Sequence, residues 1–315
     1  MASRPLRVAF IPALSGAVLR NGIAPVWLAL CLLIAIDIIW LLSSPIRLSP
    51  DSWRVVAGLV PLIILGAWGN YRLNDWPKVQ MLAGGLTFML CAWPALRLYN
   101  HLTMSAAYPL ADETLATADA LMGFSWADYV LWVDRLPVLV RLMDFSYSGL
   151  TGYTMVLFLL LLLGNEAKKR SQELLKLFFS TAIICSTIGM FFPAEAAAVF
   201  YQIPPNFLTH VDPRVGAYHL DHLQALRSVP EHLLSLNNLP GLVTFPSFHT
   251  AMGIIAIYCA RGTPWLFGPS VIINLVMIAS TPLFGSHYLV DIIAGAAVAA
   301  GVILFQRHLS ASSTD

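Results

Sequence analysis

The stretch Ala24–Ser43 reads APVWLALCLLIAIDIIWLLS, and Asp37 is its one charged side chain. A helix of about 20 apolar residues crosses the roughly 30 Å hydrocarbon core of a bilayer, because each helical residue advances about 1.5 Å. Further apolar runs follow, and together they predict a bundle of about eight transmembrane helices. The predicted spans are Ala24–Ser43, Val55–Tyr71, Val79–Leu98, Tyr147–Leu163, Leu177–Phe192, Thr250–Ala260, Trp265–Leu283 and Tyr288–Phe305.

The composition indicates the same fold class, an all-α polytopic membrane bundle. The chain has 315 residues, of which 58% are hydrophobic and 11% are charged, and its mean hydropathy is +0.72. An average soluble domain has about 45–50% apolar and about 25% charged residues. The formal net charge of +1 gives no indication of nucleic-acid binding.

The distribution of basic residues predicts the orientation of the bundle. With both chain ends in the cytoplasm, eleven of the 18 lysines and arginines lie on that side, and seven lie on longer outer loops. An excess of lysine and arginine in short cytoplasmic loops is typical of membrane proteins. We therefore expect the helix starts near His249 and His287 at the extracytoplasmic face.

Three segments outside the spans have predicted structures of their own. The run Val8–Leu19 resembles an interfacial helix. In Leu102–Asp144, apolar residues at helical spacing predict amphipathic helices along the outer membrane face, with tryptophans at the interface and acidic residues on other faces. The segment Pro193–Leu242 is rich in proline, histidine and asparagine, and we expect it to arch over the entrance to the bundle. The tryptophans are Trp126 and Trp132, and the acidic residues are Asp112, Glu113, Asp119, Asp128 and Asp134.

The arching segment contains the run HLDH, with His219, Asp221 and His222, and His210 and Asp212 lie nearby. A zinc site is one hypothesis, but structural zinc sites usually need four closely spaced ligands, mainly cysteine and histidine. We favour histidines of a loop or of the membrane interface. The sequence predicts neither a metal nor another cofactor.

Two histidine motifs open apolar runs and carry the candidate chemistry. In GSHYLVD, His287 and Asp291 are four residues apart, which on a helix places both side chains on one face. A carboxylate that accepts one ring N–H of histidine fixes the tautomer and leaves the other nitrogen as a base or nucleophile. An ionisable pair inside a membrane span is costly and indicates function by default.

The second motif, VTFPSFHT, places Pro246, Ser247 and His249 at the start of another predicted helix. Proline and serine suit this position, because the prolyl nitrogen has no hydrogen to leave unpaired and the hydroxyl caps an amide. Free amides and the helix dipole bind anions at such ends. We expect both motifs to converge on a phosphate; the alternative is a capped helix with an incidental histidine.

The stretches FPSFHTA and STPLFGSHYLVDIIAG resemble the type 2 phosphatidic acid phosphatase superfamily, in particular the branch of inositol phosphorylceramide synthases and their bacterial relatives. The resemblance spans roughly Tyr147 to the chain end and is strongest over Thr244–Gly295. The family motif P-S-G-H is matched except that Phe248 replaces glycine. In the motif S-R, five residues, H-x-x-x-D, Ser280 is present and Thr281 replaces the arginine. The family's first motif, K, six residues, then R-P, is absent.

The resemblance implies a reaction and a role for each matching residue. His287 attacks phosphorus and forms a phosphohistidine, and Asp291 orients its ring. His249 protonates the departing lipid oxygen and then accepts a proton from water or an alcohol. Ser247 donates a hydrogen bond to the phosphoryl oxygens, and no metal takes part. The implied substrates are a phospholipid, another lipid phosphate or an isoprenyl phosphate, and a lipid alcohol is a further acceptor.

The missing family arginine and lysine leave the phosphate without its usual cations. Amides at the helix starts around Ser247 and Ser286 are one expected replacement. Among side chains, Arg227 is the first choice, because its loop can fold over the site. The other candidates are Arg214, Arg97 and Arg141.

Organisation and activity leave further expectations. We expect N-terminal transmembrane and outer helices over 1–146, a catalytic helical core over 147–306 and a cytoplasmic tail over 307–315. The bacterial relatives imply an inner membrane. Hydrolysis and transfer to a lipid hydroxyl both remain open. The alternative to an enzyme is a catalytically silent relative that binds or moves lipids, which the missing basic motifs favour and the intact histidines and aspartate disfavour.

Overall fold

Thirteen α-helices account for nearly all of the regular structure that a computed structural model gives for the described residues. These are residues 24–312 except 74, 165, 213 and 229–231, so the helix expected over Val8–Leu19 lies outside them. In chain order the helices are α1 (Ala24–Ser43), α2 (Ser52–Arg72), α3 (Pro77–Ser105), α4 (Asp112–Leu121), α5 (Trp126–Asp134), α6 (Pro137–Ser148), α7 (Leu150–Leu161), α8 (Ala167–Phe191), α9 (Ala197–Tyr201), α10 (Leu220–Ser228), α11 (Phe248–Ala260), α12 (Pro264–Phe284) and α13 (Leu289–Ser312), with a 3-10 turn at Pro205–Phe207.

Six of these helices, α1, α2, α3, α8, α12 and α13, are long and apolar enough to cross a membrane. The apolar helices α7 and α11 coincide with the other two predicted spans but contain only 12 and 13 residues. Large apolar side chains such as Leu42 on α1 and Leu304 on α13 are more than half exposed, which is typical of a surface that faces lipid. The predicted all-α polytopic membrane bundle is confirmed.

Some predicted span boundaries are wrong. α7 begins at Leu150, because Gly149 separates it from α6. α8 and α13 extend beyond their predicted spans, to Ala167 at the start of one and to Ser312 at the end of the other. Hydropathy marks the part of a helix that suits the hydrocarbon core, whereas backbone hydrogen bonding continues into the polar region on either side.

The main hydrophobic core lies among α1, α3, α7, α8, α11, α12 and α13. Phe88 of α3 meets Phe179 of α8 edge to face, with ring centroids 5.5 Å apart. Gly85 lets the ring of Phe158 on α7 pack directly against α3, since a Cβ at that position would overlap the ring. This core joins helices from both sides of residues 146 and 147, and the predicted division into two units stays a prediction.

The outer helices α4, α5 and α6 pack on the ends of α12 and α13 through a second core. Val130, Leu283 and Tyr288 are buried there. Trp126, expected at the membrane interface, is instead buried and donates its indole N–H to the carbonyl oxygen of Pro282 at 2.7 Å. The outer helices are therefore docked on the bundle, beside the start of α13.

Acidic residues of the outer helices hold the arching segment in place. Asp112 is buried and accepts the backbone N–H groups of Glu195 and Ala196 at 2.9 and 3.1 Å. Asp134 accepts those of residues 209–211 at 2.8–2.9 Å. Burial raises the pKa of Asp134, but its three N–H donors outweigh burial and leave the pKa below its ordinary value. These side chains are structural anchors, although the polar face of an amphipathic helix is ordinarily solvated.

The arching segment also pairs with the early part of the chain. Strands β1 (Arg47–Leu48) and β2 (Leu233–Leu234) are parallel, with residue 47 opposite 233 and residue 48 opposite 234. On α10, Leu223 and Leu226 are buried in a third apolar cluster that includes Leu98 of α3. The segment is thereby held across the end of α3 that lies nearest the site.

Candidate active site

His287 and Asp291 are in contact, but not through the helical geometry that their spacing predicted. α13 begins at Leu289, so His287 precedes the helix and Asp291 lies in its first turn. Nδ1 of His287 nevertheless lies 3.1 Å from Oδ2 of Asp291. The same oxygen accepts the N–H of Tyr288 at 3.0 Å, and Asp291 is 0% exposed. A proton on Nδ1 shared with this carboxylate leaves Nε2 of His287 free for chemistry.

Gly285 makes room for the ring of His287. A Cβ at position 285 would lie 2.6 Å from Cδ2 and 2.9 Å from Nε2 of that ring, and 2.7 Å from the hydroxyl oxygen of Tyr147. Non-bonded atoms do not approach so closely without displacement. A glycine directly before the Ser-His pair is thus a requirement of the site.

The start of α11 is capped as the sequence predicted. Oγ of Ser247 accepts hydrogen bonds from the backbone N–H and the hydroxyl of Thr250, at 3.3 and 3.1 Å. Its own backbone N–H donates to the carbonyl oxygen of Asp291 at 2.9 Å. Gly295 permits this approach, because a Cβ there would collide with the carbonyl of Ser247. The starts of α11 and α13 are therefore bonded to each other, which fixes the relation between the two motifs.

The two histidine rings lie near each other. The ring centroids of His249 and His287 are 6.5 Å apart at an interplanar angle of 59°. His249 stacks on Tyr147, with centroids 4.1 Å apart and an angle of 13°. The structure thus brings the imidazole rings of the two motifs to one place.

The amides at the start of α13 are already occupied, so the expectation that they bind phosphate is wrong there. Asp119 of α4 accepts the N–H of Leu289 at 2.8 Å and that of Val290 at 2.9 Å. The preceding N–H, of Tyr288, is taken by Asp291. Burial raises the pKa of Asp119, although its two N–H donors act in the opposite direction. A helix start whose amides bind two carboxylates does not attract a further anion.

Ser286, the other residue expected at this start, does not line the cavity described below. Its φ of 49° lies in the left-handed region, and its carbonyl oxygen accepts the N–H of Ala197 at 2.9 Å. Its hydroxyl is buried beside Gly216, where a Cβ would overlap it. The structure thus places Ser286 behind the segment that carries His287, as part of its support.

A cavity of about 730 Å³ opens onto both histidines. Tyr218, His219 and residues 237–242 line it from the arching segment, so this segment forms part of the cavity wall. Most of the other walls are apolar side chains of α3, α7 and α8, and a mainly apolar pocket with a few convergent polar groups is typical of a ligand site. These apolar residues are Met89, Leu90, Trp93, Leu96, Leu150, Met155, Phe178, Ala182 and Cys185.

The arginine that the sequence made the first choice for binding phosphate, Arg227, does not reach the cavity, and neither does Arg214. Arg227 donates from Nη2 to the carbonyl oxygen of Tyr108 at 2.8 Å, and it does not line the cavity. Arg214 has a side chain 91% exposed, 3.7 Å from Asp212, and also lies outside the cavity. The arginine in the cavity wall is Arg97. Sequence alone does not fix which way a side chain turns, and Arg227, at the end of α10, binds a backbone carbonyl.

His219 is a further cavity residue whose place the sequence did not predict. It is buried, and Nε2 lies 3.2 Å from the carbonyl oxygen of Glu195, so this nitrogen donates its hydrogen. Burial lowers the pKa of His219 to about 4, with the bond to Glu195 acting in the opposite direction. His222 turns away, toward His101, with ring centroids 6.0 Å apart. Among the residues whose positions are given, no three histidine, cysteine, aspartate or glutamate side chains are placed to hold a metal ion.

The fold and the site define a polytopic all-α membrane protein in which two histidine motifs meet at an apolar cavity. A family profile described as the PAP2 superfamily, that of the type 2 phosphatidic acid phosphatases, matches residues 113–305. This is more than half of the chain, and the chain belongs to that superfamily. No curated protein and no solved structure matches it significantly. Membership and the apolar helices support a membrane protein of phosphatase type.

Proposed function

We propose that the protein is an integral-membrane enzyme that takes a phosphoryl group from a lipid through a phosphohistidine on His287. The observation that supports this most directly is the arrangement of three side chains. His287 is bonded to Asp291 at 3.1 Å, and its ring lies 6.5 Å from that of His249 beside one cavity. A nucleophile, its orienting carboxylate and a separate proton donor are the parts that such a reaction needs.

In the first step, Nε2 of His287 forms a bond to phosphorus as the bond from phosphorus to the lipid oxygen breaks. The proton on Nδ1 remains in the hydrogen bond to Asp291, whose negative charge stabilises the charged ring. The negative charge of a bound phosphate favours the protonated form of His249, which gives its proton to the departing lipid oxygen. The stack on Tyr147 holds the His249 ring in place for this transfer.

In the second step, the hydroxyl group of an acceptor attacks the phosphohistidine. The acceptor gives its proton to His249, its oxygen bonds to phosphorus, and the bond from phosphorus to Nε2 of His287 breaks. Both histidines return to their starting states. Water as acceptor gives hydrolysis, and a lipid hydroxyl gives transfer of the phosphoryl group, with its head group if the donor is a phosphodiester.

A lipid substrate suits the cavity, because apolar residues of membrane helices form most of its wall. We place the site at the extracytoplasmic face of the membrane, and both chain ends in the cytoplasm, from the basic residues. Seven of the 18 lysines and arginines are on the side of the histidine motifs in that orientation. For a bacterial protein this membrane is the inner one.

The test is turnover by purified protein in detergent, with radiolabelled dioleoyl phosphatidic acid, an isoprenyl phosphate and phosphatidylinositol as donors. Each donor is assayed with and without a long-chain lipid alcohol. We expect His287→Ala to lose both turnover and the covalent label that denaturation in detergent at alkaline pH, where a phosphohistidine is stable, traps in the wild type. His249→Ala should form the label slowly. His308→Ala, at an exposed histidine, is the matched control.

Three outcomes separate the alternatives. Full activity of His287→Ala contradicts the phosphohistidine. Free phosphate from a monoester donor, or inositol phosphate from phosphatidylinositol, as the only phosphorus-containing product with and without the lipid alcohol identifies a hydrolase. A phosphorylated lipid alcohol identifies a transferase. Retention of bound lipid without turnover of any donor by the wild type favours the silent lipid-binding relative.

A further inference from the structure

Arg97 is the lysine or arginine that the described part of the chain contributes to the cavity wall. It lies on α3, before the segment that matches the family profile. The two histidines, by contrast, come from the matched segment. The cavity is thus built from family elements and from a helix outside them.

The guanidinium of Arg97 is held without a carboxylate partner. It lies over the ring of Trp93, 4.5 Å from the centroid, and Nη1 donates to the carbonyl oxygen of Leu239 at 3.1 Å. No described aspartate or glutamate forms a salt bridge with it. A guanidinium carries five N–H donors and stays charged at all ordinary pH values. A charge next to an apolar cavity is costly unless an anion accompanies it.

The position of Arg97 relates it to the reacting groups. It lines the same cavity as His249 and His287, and its charge is close enough to His249 and Tyr147 to interact with them electrostatically. A phosphoryl group between the two rings therefore lies in the field of this arginine. Trp93 and Leu239 hold the guanidinium of Arg97 on two sides, and its remaining N–H groups can donate hydrogen bonds to a ligand.

Two other sources of positive charge expected at this place are accounted for. Thr281 stands where the family has arginine, is buried, and donates its hydroxyl to the carbonyl of Ile278 at 2.8 Å. The first amides of α13 bind Asp119 and Asp291. A transferring phosphoryl group still requires charge on its oxygens to be stabilised.

We propose that Arg97 binds the non-bridging phosphoryl oxygens of the substrate, so that a helix outside the family segment supplies the cation that Thr281 does not. This inference rests on the proposed function for the identity of the anion as a lipid phosphate. Binding of an anion by Arg97 itself is independent of turnover, which allows the two to be tested apart.

The first measurement is the binding of inorganic phosphate to purified full-length protein in detergent. It is followed as phosphate-dependent thermal stabilisation at constant ionic strength, in chloride as reference, with His287→Ala as the common background so that no turnover contributes. We expect Arg97→Gln to raise the phosphate dissociation constant at least about tenfold, since a bidentate charge-assisted contact is lost. Arg54→Gln, at an exposed arginine on α2, is the matched control and should bind as the parent does.

Arg97→Lys covers the case in which the glutamine variant does not fold. Lysine keeps the charge but makes a single contact where arginine makes two, so we expect a smaller loss of phosphate affinity. A folded Arg97→Gln or Arg97→Lys variant that binds phosphate as tightly as the parent overturns the proposal.

The second measurement is kcat and KM on the lipid donor that the wild type turns over best. Arg97→Gln should lower kcat/KM by at least about a hundredfold, because the contact strengthens as charge develops on the phosphoryl oxygens. Full turnover by Arg97→Gln overturns the role of Arg97 and leaves the proposed function intact. If the wild type is inert on every donor but its phosphate binding depends on Arg97, the proposed function is contradicted and the anion site at Arg97 is supported.

Discussion

The carboxylate of Asp119 binds the first turn of α13, where its Oδ1 accepts the N–H of Val290 at 2.9 Å. Its other oxygen accepts the N–H of Leu289 at 2.8 Å. An outer helix therefore fixes the start of the helix that carries Asp291. The contact joins the outer part of the fold to the His287–Asp291 pair without touching the cavity itself.

Asp119→Ala should destabilise the protein by about 2–6 kcal/mol, because two partly buried amides lose their acceptors at about 1–3 kcal/mol each. Asp119→Asn should cost less, since its amide oxygen still accepts one hydrogen bond. The measurement is unfolding in detergent, with activity followed in parallel. Asp128→Asn, at an exposed acid on the neighbouring helix α5, is the control. Equal stability of Asp119→Ala and the wild type would show that the two amides find other partners.

Gly285→Ala should lower kcat by about a hundredfold or more, since misplacing a catalytic group by about 1 Å costs that much. The added Cβ would lie 2.6 Å from Cδ2 of His287 and must push the ring away from its position. Gly301→Ala, on α13 with nothing within 4 Å of the added carbon, is the matched control and should retain activity. Wild-type kinetics in Gly285→Ala would mean that the nucleophile's ring is not where the structure has it.

Asp291→Asn should reduce turnover by about 10²–10⁴-fold, as in comparable histidine–aspartate pairs where the wrong tautomer results. The carboxylate accepts from Nδ1 of His287 at 3.1 Å and from the N–H of Tyr288 at 3.0 Å. An asparagine oxygen can keep one of these bonds but does not supply a negative charge. The measurement is single-turnover labelling of His287, in which formation of the phosphohistidine should be the step that slows. Unchanged labelling would remove Asp291 from the mechanism.

His219 makes stability depend on pH. Because burial lowers its folded pKa to about 4 from 6.5, the unfolded chain binds a proton first as the pH falls. The contribution of neutral His219 to the free energy of unfolding is complete above about pH 6.5. It is lost as the pH falls toward about 4, and the total loss is about 3 kcal/mol. His219→Gln keeps a donor for the carbonyl of Glu195 and should flatten this part of the curve. The measurement is chemical unfolding at several pH values, with His308→Gln as control; parallel curves for His219→Gln and the wild type would contradict it.

Removal of divalent metal ions should leave activity unchanged. The proposed reaction takes its nucleophile and its proton donor from His287 and His249, and the run HLDH does not gather into one cluster, since His222 turns toward His101. Turnover is measured after dialysis against EDTA, with zinc and magnesium added back separately. Loss of activity that either metal restores would favour a metal site such as the zinc site considered for the run HLDH.

The sequence was sufficient where the decisive interactions are local. Apolar runs predicted the membrane helices, and Ser247 was recognised as a helix cap from its immediate neighbours. The pairing of His287 with Asp291 was also expected, although for the wrong reason, since the helix starts only at Leu289. Composition and short-range spacing can be read directly from the sequence, and helix formation and capping depend mainly on these local features.

The tertiary structure decided the contacts between distant parts of the chain. The sequence placed Asp119 on the polar face of an outer helix, whereas in the structure its carboxylate caps the start of α13. Arg97, rather than Arg227, lines the cavity with the two histidines. The direction of a long charged side chain and the partner of a buried carboxylate depend on which helices pack together. That packing minimises unpaired polar groups over the whole molecule, and no local stretch of sequence contains it.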